Sequence, residues 1–86
     1  MNEDRFFRAL EEGDPAKAEK MLSRFADDIP RARQLYLRGL LHEIRGELED
    51  ALKKFNMALV QHLSDPALWL AKAKVLEELG RMDMAK

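Results

Sequence analysis

Two adjacent residues, His42 and Glu43, are of types that can bind a metal ion or transfer a proton. A metal site needs several converging ligands, and the other histidine, His62, lies twenty residues away without a ligand spacing. Neighbouring carboxylates such as Glu11 and Glu12 diverge on a helix, so they cannot flank a substrate together. The sequence contains no glycine-rich phosphate loop and no nucleophile–base pair. We therefore expect no enzymatic activity, no bound metal and no cofactor.

The arginines of the segment around residues 31–45 could instead contact phosphate. Nearby glutamates balance them, and the whole chain of 86 residues carries a net charge of −1. We therefore expect a solvated surface without nucleic-acid binding, and RNA binding through these arginines remains the weakest of three alternatives. The four residues concerned are Arg31, Arg33, Arg38 and Arg45.

Composition favours a helical protein in solution. Apolar residues make up 47% of the chain and charged residues 36%, with much Leu, Ala, Glu, Lys and Arg and few β-branched residues. There is no cysteine, so disulfide bonds and thiolate chemistry are excluded. No apolar run approaches the roughly 18 residues that span a bilayer, and the charged first residues do not resemble a secretory signal. We expect a cytoplasmic protein without membrane contact.

Glycine and alanine recur at a fixed spacing. Gly46 is followed five residues later by Ala51. The same pair of residue types occurs 33 residues earlier and again 34 residues later, where it begins at Gly80. A repeat of this length is typical of stacked helical arrays. The earlier pair is Gly13 and Ala18, and the later one ends at Ala85.

The segments between these glycines have helical periodicity. We predict helices over residues 2–12, 15–26, 31–45, 47–62 and 66–79, with Asp14 as an N-cap before Pro15. The third helix is apolar on more than one side, so it should contact several neighbours. The fifth should bury Trp69, Ala73 and Leu76 and end at Gly80, with a further helix starting over residues 81–86.

This pattern resembles the tetratricopeptide repeat. The middle copy has Leu35, Gly39, Ala51 and Phe55 at the characteristic positions, and the last has Trp69. Arg38 and Lys72 depart from the pattern, since a large apolar residue is usual at these positions. The resemblance implies one all-α domain over residues 1–86, with about two and a half antiparallel helix–turn–helix repeats stacked in a right-handed superhelix. Its parts are hairpins over about 2–27 and 30–63, a first helix of a third repeat over about 66–79 and a truncated helix over 81–86.

In that family the first helices of the repeats build a concave wall that binds another protein or peptide. On this basis we expect a protein–protein interaction module, or scaffold, that holds a peptide or helix in the groove. The members that hold a peptide's terminal carboxylate use Lys, Asn and Arg, whereas this chain has apolar residues and glutamate at or near such places. The expected groove residues are Phe7, Leu10, Arg33, Tyr36, Leu40, Glu43, Leu70, Lys74 and Glu77.

The alternative is a structural unit that assembles with itself. A repeat leaves an apolar face for the next repeat, and the last copy here is incomplete. Two copies could cover this face in a homodimer through their C-terminal ends. The residues expected in this contact are Trp69, Leu76, Met82 and Met84.

Overall fold

The chain folds into five packed α-helices in a computed structural model that describes residues 2–84, with side chains described for residues 3–81. The described residues contain no strand. No helix in this range is long and apolar enough to cross a membrane. The helices are α1 (Asn2–Glu11), α2 (Pro15–Phe25), α3 (Arg31–Ile44), α4 (Leu48–Gln61) and α5 (Pro66–Met84), and a short 3-10 helix (Ala26–Asp28) follows α2.

Local signals set most of the helix ends. The side chain of Asp14 accepts a hydrogen bond from the backbone N–H of Lys17, and Pro15 occupies the first turn of α2, as the sequence predicts. Gly13 and Gly46 adopt positive φ angles of 73° and 80°, and they follow the ends of α1 and α3. Glycine reaches this conformation without the strain that a Cβ would cause, which is why it ends helices so often.

The prediction of a helix end at Gly80 is wrong, because α5 continues through this residue to Met84. Gly80 does not have the positive φ that Gly13 and Gly46 adopt. Glycine lowers the stability of a helix interior by about 1 kcal/mol but does not by itself terminate the helix. The segment after Gly80 also lacks the Asp-Pro start that follows Gly13. Residues 81–84 therefore belong to α5, and the predicted separate helix over 81–86 does not form within the described range.

Helix α3 lies at the centre of the packing, as its wide apolar surface predicts. Leu37 and Leu41 share a buried cluster with residues of α1 and α2, and Leu35 shares one with α4 and α5. Tyr36 packs against all three clusters of the core. The first cluster is the largest and contains Phe6, Ala9, Ala18, Leu22, Phe25, Ala26, Leu37 and Leu41.

Helices α3 and α4 cross closely at Gly39. A Cβ built on this glycine would lie less than 3.0 Å from three ring atoms of Phe55. Leu35 near the start of α3 packs with Leu59 near the end of α4, so the two helices run antiparallel. The small residue is therefore needed for the approach of the aromatic ring, as the sequence pattern predicts.

The buried face of α5 differs from the prediction. Leu68 and Val75 are buried, whereas Trp69 and Leu76 are each 46% exposed and Ala73 is exposed. Leu68 joins the cluster of Leu35, Ala58 and Leu59, and Val75 joins that of Leu48, Ala51 and Phe55. The reason is that α5 packs on α3 and α4 through one stripe only. In the described part of the chain, no helix covers the neighbouring stripe that contains Trp69.

Candidate functional site

Helices α1, α3 and α5 lie side by side and run in the same direction. Glu3 and Arg33 form an ion pair near the starts of α1 and α3, and Leu10 and Ile44 line one cavity near their ends. Tyr36 and Ala67, both in the first halves of α3 and α5, line a second cavity. The connecting helices α2 and α4 run in the opposite direction. This alternation presents three parallel helices on one surface.

Two adjoining cavities form a groove on this surface. One, of about 340 Å³, lies between α1, α3 and α5, and the other, of about 290 Å³, lies between α3 and α5. Both are lined by Leu40, Glu43 and Lys74, so they are continuous. This groove is lined by Leu10, Tyr36, Leu40, Glu43, Ile44, Ala67, Leu70, Ala71, Lys74 and Glu78.

Six of the nine residues expected in the groove lie in it. Leu70 is 72% exposed, which is a large fraction for an apolar side chain. The expected residues that do line the groove are Leu10, Tyr36, Leu40, Glu43, Leu70 and Lys74. Phe7, Arg33 and Glu77 do not line either cavity.

Phe7 and Arg33 have other contacts. The Phe7 ring packs edge-on against Phe6 with a centroid separation of 5.5 Å, beside the first core cluster. Arg33 donates hydrogen bonds from Nε and Nη2 to Oε1 of Glu3, and its guanidinium lies 5.1 Å from the centre of the Tyr36 ring. Arg33 therefore joins α1 to α3 beside the groove and holds one face of Tyr36.

Glu77 does not line the groove, whereas its neighbour Glu78 does. Glu77 accepts a hydrogen bond from Arg81 one turn later. Sequence reasoning carried the groove position from Glu43 to Glu77 by the 34-residue spacing. The helical periodicity of α5 would have indicated Glu78 instead, because Glu78 lies four residues after Lys74 and on the same face of the helix.

Glu43 is the most strongly perturbed acidic group of the groove. Its side chain is only 12% exposed, and its buried Oε2 has no hydrogen-bond partner among the described residues. Burial raises the pKa of Glu43, and the neighbouring Glu78 carboxyl raises it further. Lys74 opposes this shift in pKa, but its Nζ lies 3.8 Å from Oε2, beyond hydrogen-bond distance. The groove thus contains two close carboxylates and one lysine.

An arginine on α3 and the arginine that directly follows this helix are paired with acids of the first hairpin. Arg33 binds Glu3, and Nη2 of Arg45 donates a hydrogen bond to Oε2 of Glu19 at 2.8 Å. The hydrogen bond and the positive charge of Arg45 lower the pKa of Glu19. These contacts connect α3 to α1 and α2. Arginines that are neutralised in this way attract phosphate less strongly.

His42, Glu47 and Asp50 have ligand-type atoms within 4.8 Å of one another. Nδ1 of His42 lies 3.0 Å from Oε1 of Glu47, across the turn from α3 to α4. Glu47 and Asp50 are exposed and remain solvated. We attribute this contact to the turn itself, because it joins the end of one helix to the start of the next. Sequence reasoning weighed His42 as a ligand but did not connect it with Glu47 or Asp50.

Trp69 and Leu76, two of the four residues expected in self-association, lie on α5 and do not line the groove. Trp69 and Leu76 are each about half exposed. The indole N–H of Trp69 donates a hydrogen bond to the backbone oxygen of Leu63, and this bond orients the ring. The side chains of Met82 and Met84 lie outside the described residues.

No protein-family model, curated protein or solved structure matches this chain.

Proposed function

We propose that this chain is a helical-repeat module without enzymatic activity that binds an amphipathic helix or apolar peptide of another protein in its groove. The observation that carries the proposal is the groove itself, which three parallel helices line with Leu10, Tyr36, Leu40 and Leu70. Leu70 is exposed and the other three are partly exposed, and apolar side chains gathered in this way in a concave surface are typical of sites that bind partner helices. The recurrence of the Gly and Ala positions supports the assignment to a repeat protein that resembles the tetratricopeptide repeat.

The charges of the groove favour a partner that carries a basic residue beside its apolar ones. Glu43 and Glu78 contribute two carboxylates, and Lys74 contributes one cation. A lysine or arginine of the partner would reduce the repulsion between the carboxylates and could donate to the unpartnered Oε2 of Glu43. A partner carboxylate would meet the same two negative charges and would be disfavoured.

A synthetic amphipathic helix tests this proposal directly. The probe is a peptide with leucines at positions i, i+3, i+4 and i+7 and lysines on the adjoining positions, and its binding is measured by fluorescence anisotropy. Leu70→Ser should weaken binding at least tenfold, because burying a leucine side chain contributes about 1.5–3 kcal/mol. Leu70 is 72% exposed, so this substitution should leave the fold intact.

Val60→Ser is the matched control. Val60 is 80% exposed on α4 and does not line the groove, so its loss should leave peptide affinity unchanged. A version of the peptide with its leucines distributed around the helix should bind neither variant nor the unmodified chain. Equal binding to the Leu70 and Val60 variants would show that the groove is not the binding surface.

A further inference from the structure

Gly80 occupies an open position among the described residues. It lies inside α5, and a Cβ built on it would meet nothing within 4 Å among the described residues. Glycine in a helix interior is about 1 kcal/mol less favourable than alanine. Gly80 neither turns the chain nor makes room for a described side chain, so the surface of α5 around it is open to an approaching helix.

Gly80 continues a stripe of residues on one side of α5. We call this the outer stripe: Trp69, Ala73, Leu76 and Gly80, spaced four, three and four residues apart. This spacing places them along one line, as in the seam between two packed helices. All four are exposed, and the stripe alternates large and small residues. It is separate from the buried stripe of Leu68 and Val75 and from the groove.

The packing of α3 shows what kind of element covers such a stripe. A shift of 34 residues places Leu35 at Trp69 and Gly39 at Ala73. Leu35 and Gly39 are buried, and the antiparallel helix α4 places Phe55 directly against Gly39. The outer stripe is therefore the equivalent of a surface that an antiparallel helix covers elsewhere in the same chain, with a large residue against a small one.

We propose that the outer stripe binds the outer stripe of a second copy, as an antiparallel α5–α5 pair related by a two-fold axis. In this register Trp69 faces Gly80 of the second copy, and Ala73 faces Leu76 of the second copy. Every large side chain then meets a small residue, and the symmetry repeats each contact. The alternation of large and small residues along the outer stripe is therefore complementary to the same stripe of a second, antiparallel copy.

The charges beside the stripe are compatible with this contact. Glu77 and Arg81 form an ion pair within one chain, and Nζ of Lys72 lies 5.3 Å from the centre of the Trp69 ring. A pair of single helices buries less than the roughly 800 Å² per partner of a standard interface. We therefore expect a weak dimer. This contact leaves both grooves open, so it goes beyond the peptide binding proposed above.

Sedimentation equilibrium of the full chain at tens to hundreds of micromolar tests the contact. The unmodified chain should show a monomer–dimer equilibrium, and Gly80→Gln should weaken dimerisation at least tenfold. Glutamine fits the open space around Gly80 in one chain and favours a helix, so the variant stays folded and its circular dichroism is retained. In the dimer it would collide with Trp69 of the second copy. Leu70→Gln on the groove surface is the control and should dimerise like the unmodified chain.

Cysteine cross-linking tests the register. The chain has no cysteine of its own, so single cysteines report one contact each. In the proposed register the two-fold axis passes between positions 74 and 75, which brings the two copies of residue 73 within the Cα separation of about 7 Å that a disulfide requires. Ala73→Cys should therefore form a disulfide-linked dimer under mild oxidation. Ala67→Cys, on the groove side of the same helix, should form no disulfide-linked dimer.

Each outcome bears on the proposal in one way. A monomer at every concentration, a dimer that persists in Gly80→Gln, or equal cross-linking at positions 67 and 73 would overturn it. Peptide binding by the groove is a separate measurement. Loss of the dimer with retained peptide binding supports both proposals, whereas a dimer without peptide binding rejects the groove alone.

Discussion

The close crossing of α3 and α4 leads to the most quantitative prediction. In Gly39→Ala, the new methyl group would lie less than 3.0 Å from three atoms of the Phe55 ring. Phe55 is fully buried, so its ring cannot move into solvent to make room. Overpacking by a methyl group costs about 1–3 kcal/mol, whereas alanine in place of glycine gains up to about 1 kcal/mol in a helix. We expect a net loss of about 1–2 kcal/mol in the free energy of unfolding.

Urea unfolding followed by circular dichroism measures this loss. The midpoint should fall while the dependence on denaturant stays constant, and the melting temperature should drop by roughly 5–15 °C. Gly80→Ala is the matched control, because a Cβ there meets none of the described residues within 4 Å. At protein concentrations low enough to keep the chain monomeric, Gly80→Ala should raise the free energy of unfolding by up to about 1 kcal/mol, because alanine has the higher helix propensity.

A second substitution tests the cause. Phe55→Leu removes part of the ring that the Gly39→Ala methyl group would meet, so it should destabilise the Gly39→Ala variant less than it destabilises the unmodified chain. Two results would refute this reasoning. One is a Gly39→Ala variant that is as stable as Gly80→Ala. The other is strict additivity of the two substitutions at positions 39 and 55.

Three further predictions concern α5, the groove and a helix cap. Val75→Ala should cost about 2 kcal/mol of stability, and Leu76→Ala less than about 1 kcal/mol, because only Val75 is fully buried; the reverse order in urea unfolding would place the wrong face of α5 in the core. Since the pKa of Glu43 is raised in the folded chain, its contribution to stability is fully present below pH 4.5 and is lost as the pH rises through the raised value. Glu43→Gln should thus become more stable relative to the unmodified chain as the pH increases over this range, and a constant difference between their unfolding curves would contradict the burial argument. Asp14→Ala should lower stability by about 1 kcal/mol through loss of the bond to the Lys17 N–H, whereas Asp14→Ser should retain most of it; equal losses in thermal unfolding would argue against capping.

The sequence alone determined the features that depend on neighbours along the chain. Helical periodicity and the Asp14–Pro15 start predicted the helices closely, because capping and backbone preferences act over a few residues. The apolar residues around α3 predicted its central place, since a helix that is apolar on several sides must contact several neighbours. The repeat pattern also identified Gly39 as a small position and Phe55 as a large position.

Contacts between distant segments required the tertiary structure. Leu68 and Trp69 are adjacent and both strongly apolar, so composition could not decide which of them faces α3 and α4. Gly80 has the sequence spacing of Gly13 and Gly46, yet α5 continues through it and it lacks their positive φ. The close approach of Glu43 to Glu78 joins positions 35 residues apart, and it depends on how α3 and α5 lie against each other. Each of these features depends on which helix packs against which, and a pattern within one helix does not contain that information.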